Sequence, residues 1–333
     1  MKYGSKTINR ICLMNHFDKF YFSLYRLNLK ALDRIELPRM NKGITLRGAF
    51  GTVFRRLVCH DLKATCPSCL VHENCPYSNI FNPVVPPDSD RLRLNRDIPR
   101  PFVIKPPLDP VSSYKPGDTL CFDLVVVGRA QDYLPYFIVT FEELGRQGIG
   151  VGRGKYDLES LEAMKADGIW EKVFQGKDRM VRPQEKPMGL KSICHEDESF
   201  DKLEIEFLTP VLLKQKGQWA KPEFGPLIKR LRDRINALSS FYCNAPLDMN
   251  FKEMGEKADK VSMLSNNLKW VEENRYSKHR NLNHVLKGWV GEITFEGEIG
   301  PFMPLLRAGE FLHVGKATAF GQGWYKITHR GER

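Results

Sequence analysis

Two passes through the order strand, helix, strand, strand, helix, strand predict an α+β chain of tandem ferredoxin-like domains. Three observations carry that prediction. The 333 residues suffice for two domains of roughly 150 residues each. Strand-type alternation and helix-type periodicity follow one another in the same order in both halves. Each half also closes through a glycine-rich turn that ends in an aromatic residue and a short strand, GIGVGRGKYDL at 148–158 and HVGKATAFGQGWYKI at 313–327. A repeat on this scale implies two copies of one structural unit. The expected division is 1–160 and 161–333, with a cysteine-rich insertion at 59–75 in the first unit and a glycine-rich loop at 313–325 in the second.

Taken in order, residues 18–35 alternate as a strand, with Phe20, Phe22 and Leu24 on one face. Thr45 is then an expected N-cap, and Leu46, Ala49, Phe50, Val53, Phe54, Leu57 and Val58 fall at helical spacing up to Leu62. Arg47, Arg55 and Arg56 lie off that stripe. Prolines and arginines dominate 76–118, which reads as extended loops with a short strand at 100–105. A strong strand follows at 118–128. A helix at 133–144 tolerates Pro135 in its first turn. Residues 160–200 are polar and read as an irregular connection between units. The second half gives a strand at 201–208, an amphipathic helix at 226–241, a strand at 289–295, a short helix at 301–309 and a last strand at 324–328.

Four cysteines, Cys59, Cys66, Cys69 and Cys75, stand within 17 residues in the pattern C-x6-C-x2-C-x5-C. A C-x2-C pair on a tight turn with two further thiolates fits tetrahedral zinc, and four filled positions make such a site structural rather than catalytic. His60 and His72 are possible replacements for one thiolate. The chain is expected in the cytoplasm, where cysteines serve as thiols or metal ligands rather than as disulfides. No apolar run reaches the roughly 18 residues of a membrane span, so no membrane partner is expected.

The net charge of +11 points to a polyanionic partner, nucleic acid first. Residues 274–287 hold four Lys/Arg, two His and no acid, with Tyr276 available to stack on a base. The loop HVGKATAFGQG fits neither dinucleotide nor P-loop spacing, and it precedes a strand instead of opening a helix. A nucleotide-binding enzyme is therefore disfavoured.

TLRGAFGTVFRRLVC, the cluster ending CPYSNIF, the block at Arg275–Arg280 before GWVGEITFEGEI, and LHVGKATAFGQGWY occur in this order. Together they resemble the CRISPR-associated precursor-crRNA endoribonucleases of the RAMP superfamily, the Cas six family, in the branch with the C-terminal-domain signature. The resemblance covers about residues 18 to 328. It implies metal-independent cleavage of CRISPR repeat RNA, in which the RNA's 2′-OH attacks and leaves a 2′,3′-cyclic phosphate. It also implies precursor crRNA as substrate and other Cas proteins of an effector complex as partners. The same fold serves a second role, as a catalytically silent RNA-binding subunit.

That chemistry needs a base, an acid and cations around a dianionic phosphorane. The candidates are His313, beside Gly315 and Lys316, with Lys316 itself, and His60 as rival, with Lys42 and Tyr25 as helpers. RNA contacts are expected at Arg275, Lys278, His279 and Arg280, at Gly315, Lys316, Gly321 and Gly323, and at Arg47 and Arg55. Arg146, Arg153 and Lys155 extend the basic surface.

Overall fold

The computed structural model describes residues 19–85, 97–182, 186–193, 201–215, 217–277 and 282–331. In chain order, the first part contains β1 (Tyr21–Ala31), β2 (Ile35–Glu36), α1 (Lys42–Val58), α2 (Pro76–Phe81), β3 (Phe102–Lys105), β4 (Ser113–Tyr114), β5 (Thr119–Val127), α3 (Leu134–Gln147), β6 (Tyr156–Met164), β7 (Trp170–Gln175) and β8 (Met188–Gly189). There follow α4 (Leu190–Ile193), β9 (Lys202–Val211), β10 (Leu213–Gln215), β11 (Gln218–Ala220), α5 (Phe224–Tyr242), α6 (Phe251–Ala258), β12 (Ser262–Ser277), β13 (Leu282–Glu296), α7 (Met303–Leu312) and β14 (Tyr325–Gly331).

The first sheet runs β3-β5-β1-β6-β7, with β8 added to β1, and the second runs β12-β13-β9-β14. Each places its first strand between its third and fourth, and its second at one edge. That is the ferredoxin-like order, reached twice. The alternation read from residues 20–31 explains why β1 is central. Leu24, Leu27 and Leu29 are buried, and the strand pairs antiparallel with β5 and β6 on its two sides. The helices cover one face: Phe50 of α1 stacks on Phe141 of α3 with centroids 4.6 Å apart. Burying such a ring is worth about 2–3 kcal/mol. One buried apolar cluster continues through both units.

The N-cap of helix α1 is Asn41, in a left-handed conformation (φ 60°), four residues before the expected Thr45. The expected boundary at 160 falls inside β6, and residues expected to be irregular supply β7 and β8 to the first sheet. β7 buries only the adjacent Val173 and Phe174, and β8 is two residues long, so neither carries an alternating signal in the sequence.

Candidate nucleic-acid interface

The glycine-rich loop is built around the end of α7. The last carbonyls of that helix are capped by half-buried cations from both units: Lys105 Nζ donates to Glu310 O at 3.1 Å and Arg234 Nε to Leu312 O at 3.0 Å. Burial lowers the Lys105 ammonium to about 8. His313 follows at φ 59°, fully buried and stacked on Trp324 with centroids 5.6 Å apart. No hydrogen bond of normal geometry reaches its Nδ1 or Nε2. Burial first, then Lys105 and Arg234, push its pKa well below the usual range, and only the Gln322 backbone opposes them. The ring is therefore a neutral core group here. It does not share a phosphate with Lys316, because it has no surface at which RNA would reach it.

The loop glycines serve close packing. A Cβ on Gly323 (φ 69°) would stand 1.8 Å from Val314 O, and one on Gly43 of α1 would stand 2.3 Å from Phe320 O. Gly321 and Gly323 are buried and Gly315 is half-buried; Gly321 stands against Ile104 O of β3 and Pro106, and Gly323 against Val314 of its own loop, so the two glycines expected to meet RNA sit in backbone packing. Lys316 is exposed at the loop tip, where its backbone N–H donates to Leu212 O at 3.1 Å.

The other expected residues are scattered. Arg47 is half-buried, its guanidinium over the Phe320 ring at 4.4 Å. Arg55 is turned inward, donating to Leu62 O at 2.9 Å and Ala64 O at 3.3 Å, where it braces the cysteine-bearing loop. His60 is exposed just past the C-terminal end of α1, about 25 Å from its N-terminus by helical rise. The Lys42 side chain is buried against Asp109, and Tyr25 is buried, which raises its hydroxyl to about 12. Arg275 lies in β12 opposite His284. Lys278, His279 and Arg280 lie outside the described residues.

A cleft of about 480 Å³ opens between the units, where Met40, Asn41 and Thr45 at the start of α1 face Val151 and Leu286 of β13. No acidic residue occupies the first turn of α1 itself, although Glu36 lines the same cleft and Asp109 pairs with Lys42. Apart from the cleft, a cluster of cations and indoles that sequence reasoning missed brings β10 and β11 beside β13. Lys214 and Lys287 lie 5.9 and 6.0 Å from the Trp219 ring, and Lys221 lies 5.3 Å from Trp289. Trp270 meets Trp289 edge-on at 5.2 Å. Trp219 and Trp270 remain 49% and 40% exposed, which leaves ring surface for a stacking base. Leu212, which holds the Lys316 backbone, stands two residues before Lys214 in the chain. The cluster's sequence signal was the alternation of lysines and a tryptophan in KQKGQWAK (214–221), too short to read as a hairpin.

Comparison with known proteins adds family information. A model described as an N-terminal domain, AF_1859_N, matches residues 20–186, and the CRISPR-associated endoribonuclease Cas6 model matches residues 205–325. An uncharacterized protein of Archaeoglobus fulgidus is 27% identical over 319 residues, covering 92% of this chain and 99% of its own. Thermus thermophilus Cas6 superposes with a TM-score of 0.51 at 16% identity, covering 93% of this chain and 99% of that one. A partial Cas6-RT-Cas1–Cas2 complex gives a TM-score of 0.53 at 16% identity, covering 94% of this chain and 47% of the other. These two likenesses establish the tandem fold.

Proposed function

The chain belongs to the CRISPR-associated endoribonuclease Cas6 family, and from that premise we propose that it binds CRISPR repeat RNA along the cleft and the Lys–Trp strip and cuts precursor crRNA there. The observation that supports this reading is the grouping of cations with exposed indoles: Lys214 and Lys287 flank Trp219, and Lys221 lies against Trp289, which meets the half-exposed Trp270. Phosphates of a repeat would lie against the lysines, with unpaired bases on Trp219 and Trp270.

Cleavage in this reading uses no catalytic metal. The 2′-oxygen forms a bond to phosphorus as the P–O5′ bond breaks, leaving a 2′,3′-cyclic phosphate and a 5′-hydroxyl. The proton lost from the 2′-OH is balanced by one gained at O5′. Lys316 and the N–H groups at the start of α1 would stabilise charge on the phosphorane oxygens. His60, about 25 Å from the start of α1, is too distant to transfer a proton to a phosphate held there, and His313 would take part only if the loop opened.

A second reading is an RNA-binding subunit that does not cut. It is favoured by one observation: among the described residues, no histidine lines the cleft. Cas protein partners fit either reading, since the chain resembles a subunit in an assembly of Cas6 with Cas1 and Cas2. The site of action would be the cytoplasm. Among the described residues, no helix is long and apolar enough to cross a membrane.

The test is a single-turnover incubation with repeat RNA in EDTA. A product ending in a 2′,3′-cyclic phosphate supports cleavage. Tight binding without a cut supports the second reading. Failure to bind repeat RNA better than an unrelated hairpin contradicts both.

A further inference from the structure

We propose that Cys59, Cys66, Cys69 and Cys75 form a structural four-thiolate zinc site that ties the C-terminal end of α1 to the start of α2. The inference does not depend on the RNA reading. It starts from a burial deficit. No residue from Cys59 to Cys75 is buried, and Leu62, Leu70 and Val71 point into solvent. Apolar burial therefore cannot order this segment, although its backbone is regular. Its half-buried positions are Cys59, Ala64, Cys66, Cys69, His72 and Cys75, so the thiols occupy the inward positions that a small core would otherwise fill.

All four cysteines line one small cavity of about 10 Å³, close to the room one water or ion needs. Two successive tight turns bring them there. The Cys69 N–H donates to Cys66 O at 3.1 Å across the C-x2-C turn, and the Cys75 N–H donates to His72 O at 3.4 Å across the next. The outer pair sit at helix ends: Cys59 closes α1 through its N–H to Arg55 O at 2.9 Å, and Cys75 is the residue on which α2 begins. A metal here would thus lock two helices whose connecting loop has no core.

All four are free thiols. Among the described residues, no three His, Cys, Asp or Glu side chains already stand in a metal-holding group. The backbone and the cavity are in place, but the Cys59 thiol is turned to a local acceptor, Asp61 O at 3.1 Å. Loading requires side-chain rotation and the loss of four protons as four S–H groups become Zn–S bonds. The resulting centre carries a net charge of −2. Arg55, whose guanidinium already reaches the Leu62 and Ala64 carbonyls, and Lys63 oppose it, while Asp61 and Glu73 add to it. His72 Nδ1 lies 2.9 Å from the Cys69 carbonyl, so it is a donor there and orients the turn without being needed as a ligand.

The experiment uses the full, untagged chain, purified without chelator. Elemental analysis should find about one zinc per chain, and the Cys66→Ser, Cys69→Ser double variant should fall to background. Cobalt(II) loaded in place of zinc should show intense thiolate charge-transfer absorption and tetrahedral visible bands. If the variant does not fold, the wild-type metal content and cobalt spectrum decide alone. Zinc at background in the wild type, a disulfide mapped between any two of the four cysteines, or stoichiometric zinc that survives the double substitution would each overturn the site.

Discussion

The two glycine-rich turns hold the same place in their sheets, between the second helix and the last strand, and share a supporting bond. Tyr156 donates its hydroxyl to Phe141 O of α3 at 2.9 Å, and Tyr325 donates to Leu306 O of α7 at 2.6 Å. Each tyrosine lies against a helix glycine, Gly145 or Gly309, at which a Cβ would meet it within 2.2 Å. The turns differ in what covers them. The first ends in solvent, with Val151 78% exposed beside the cleft. The second folds inward, onto α1 and β3 of the other unit, and leaves only its Lys316–Ala317 tip exposed. A glycine-rich sequence thus specifies a tight path for the backbone. Whether that path meets RNA or protein depends on the neighbouring unit.

The largest expected effect separates the two turns. Gly323→Ala sets a Cβ 1.8 Å from a carbonyl at positive φ, whereas Gly152→Ala at φ 80° meets nothing within 4 Å. The first should cost more than about 3 kcal/mol and the second about 1–2 kcal/mol. Urea unfolding midpoints check this, and equal losses would dissolve the distinction.

The next prediction concerns pH. The folded state depresses the His313 pKa well below 6.5, so its favourable contribution is fully present above pH 6.5 and is lost as pH falls below it. The melting temperature should drop between pH 7 and pH 5, and His313→Asn, which tolerates positive φ, should flatten that drop. An identical pH profile in the variant would mean the ring is not the buried neutral group described.

A smaller effect tests the symmetry. Tyr156→Phe and Tyr325→Phe each remove one buried hydrogen bond and should destabilise by about 1–2 kcal/mol apiece. Denaturant titration of both variants would show whether the two supports are equivalent.

Much of this architecture was legible in sequence. Alternation placed β1, β5 and β9, and periodicity placed α1, α3 and α5, because each buries one clean face. β7 and β8 were missed because their buried residues are few and neither strand alternates. The site was less legible. His313, Gly321 and Gly323 stand next to Lys316 in sequence, yet only Lys316 faces out, since packing between units decides which side of a loop is buried. Trp219, Trp289 and Lys214 were overlooked, and Lys287 was read only as the end of the 274–287 basic block, because they come together only when β10–β11 folds beside β13.

The central claim is that RNA follows the Lys–Trp strip rather than the buried glycines. The direct measurement is the salt dependence of repeat-RNA affinity for wild type and for the Lys214→Ala, Lys287→Ala double variant, at unchanged melting temperature. The account predicts weaker binding and a log–log salt slope shallower by about 2, one for each phosphate contact removed. A slope and affinity equal to wild type would contradict it.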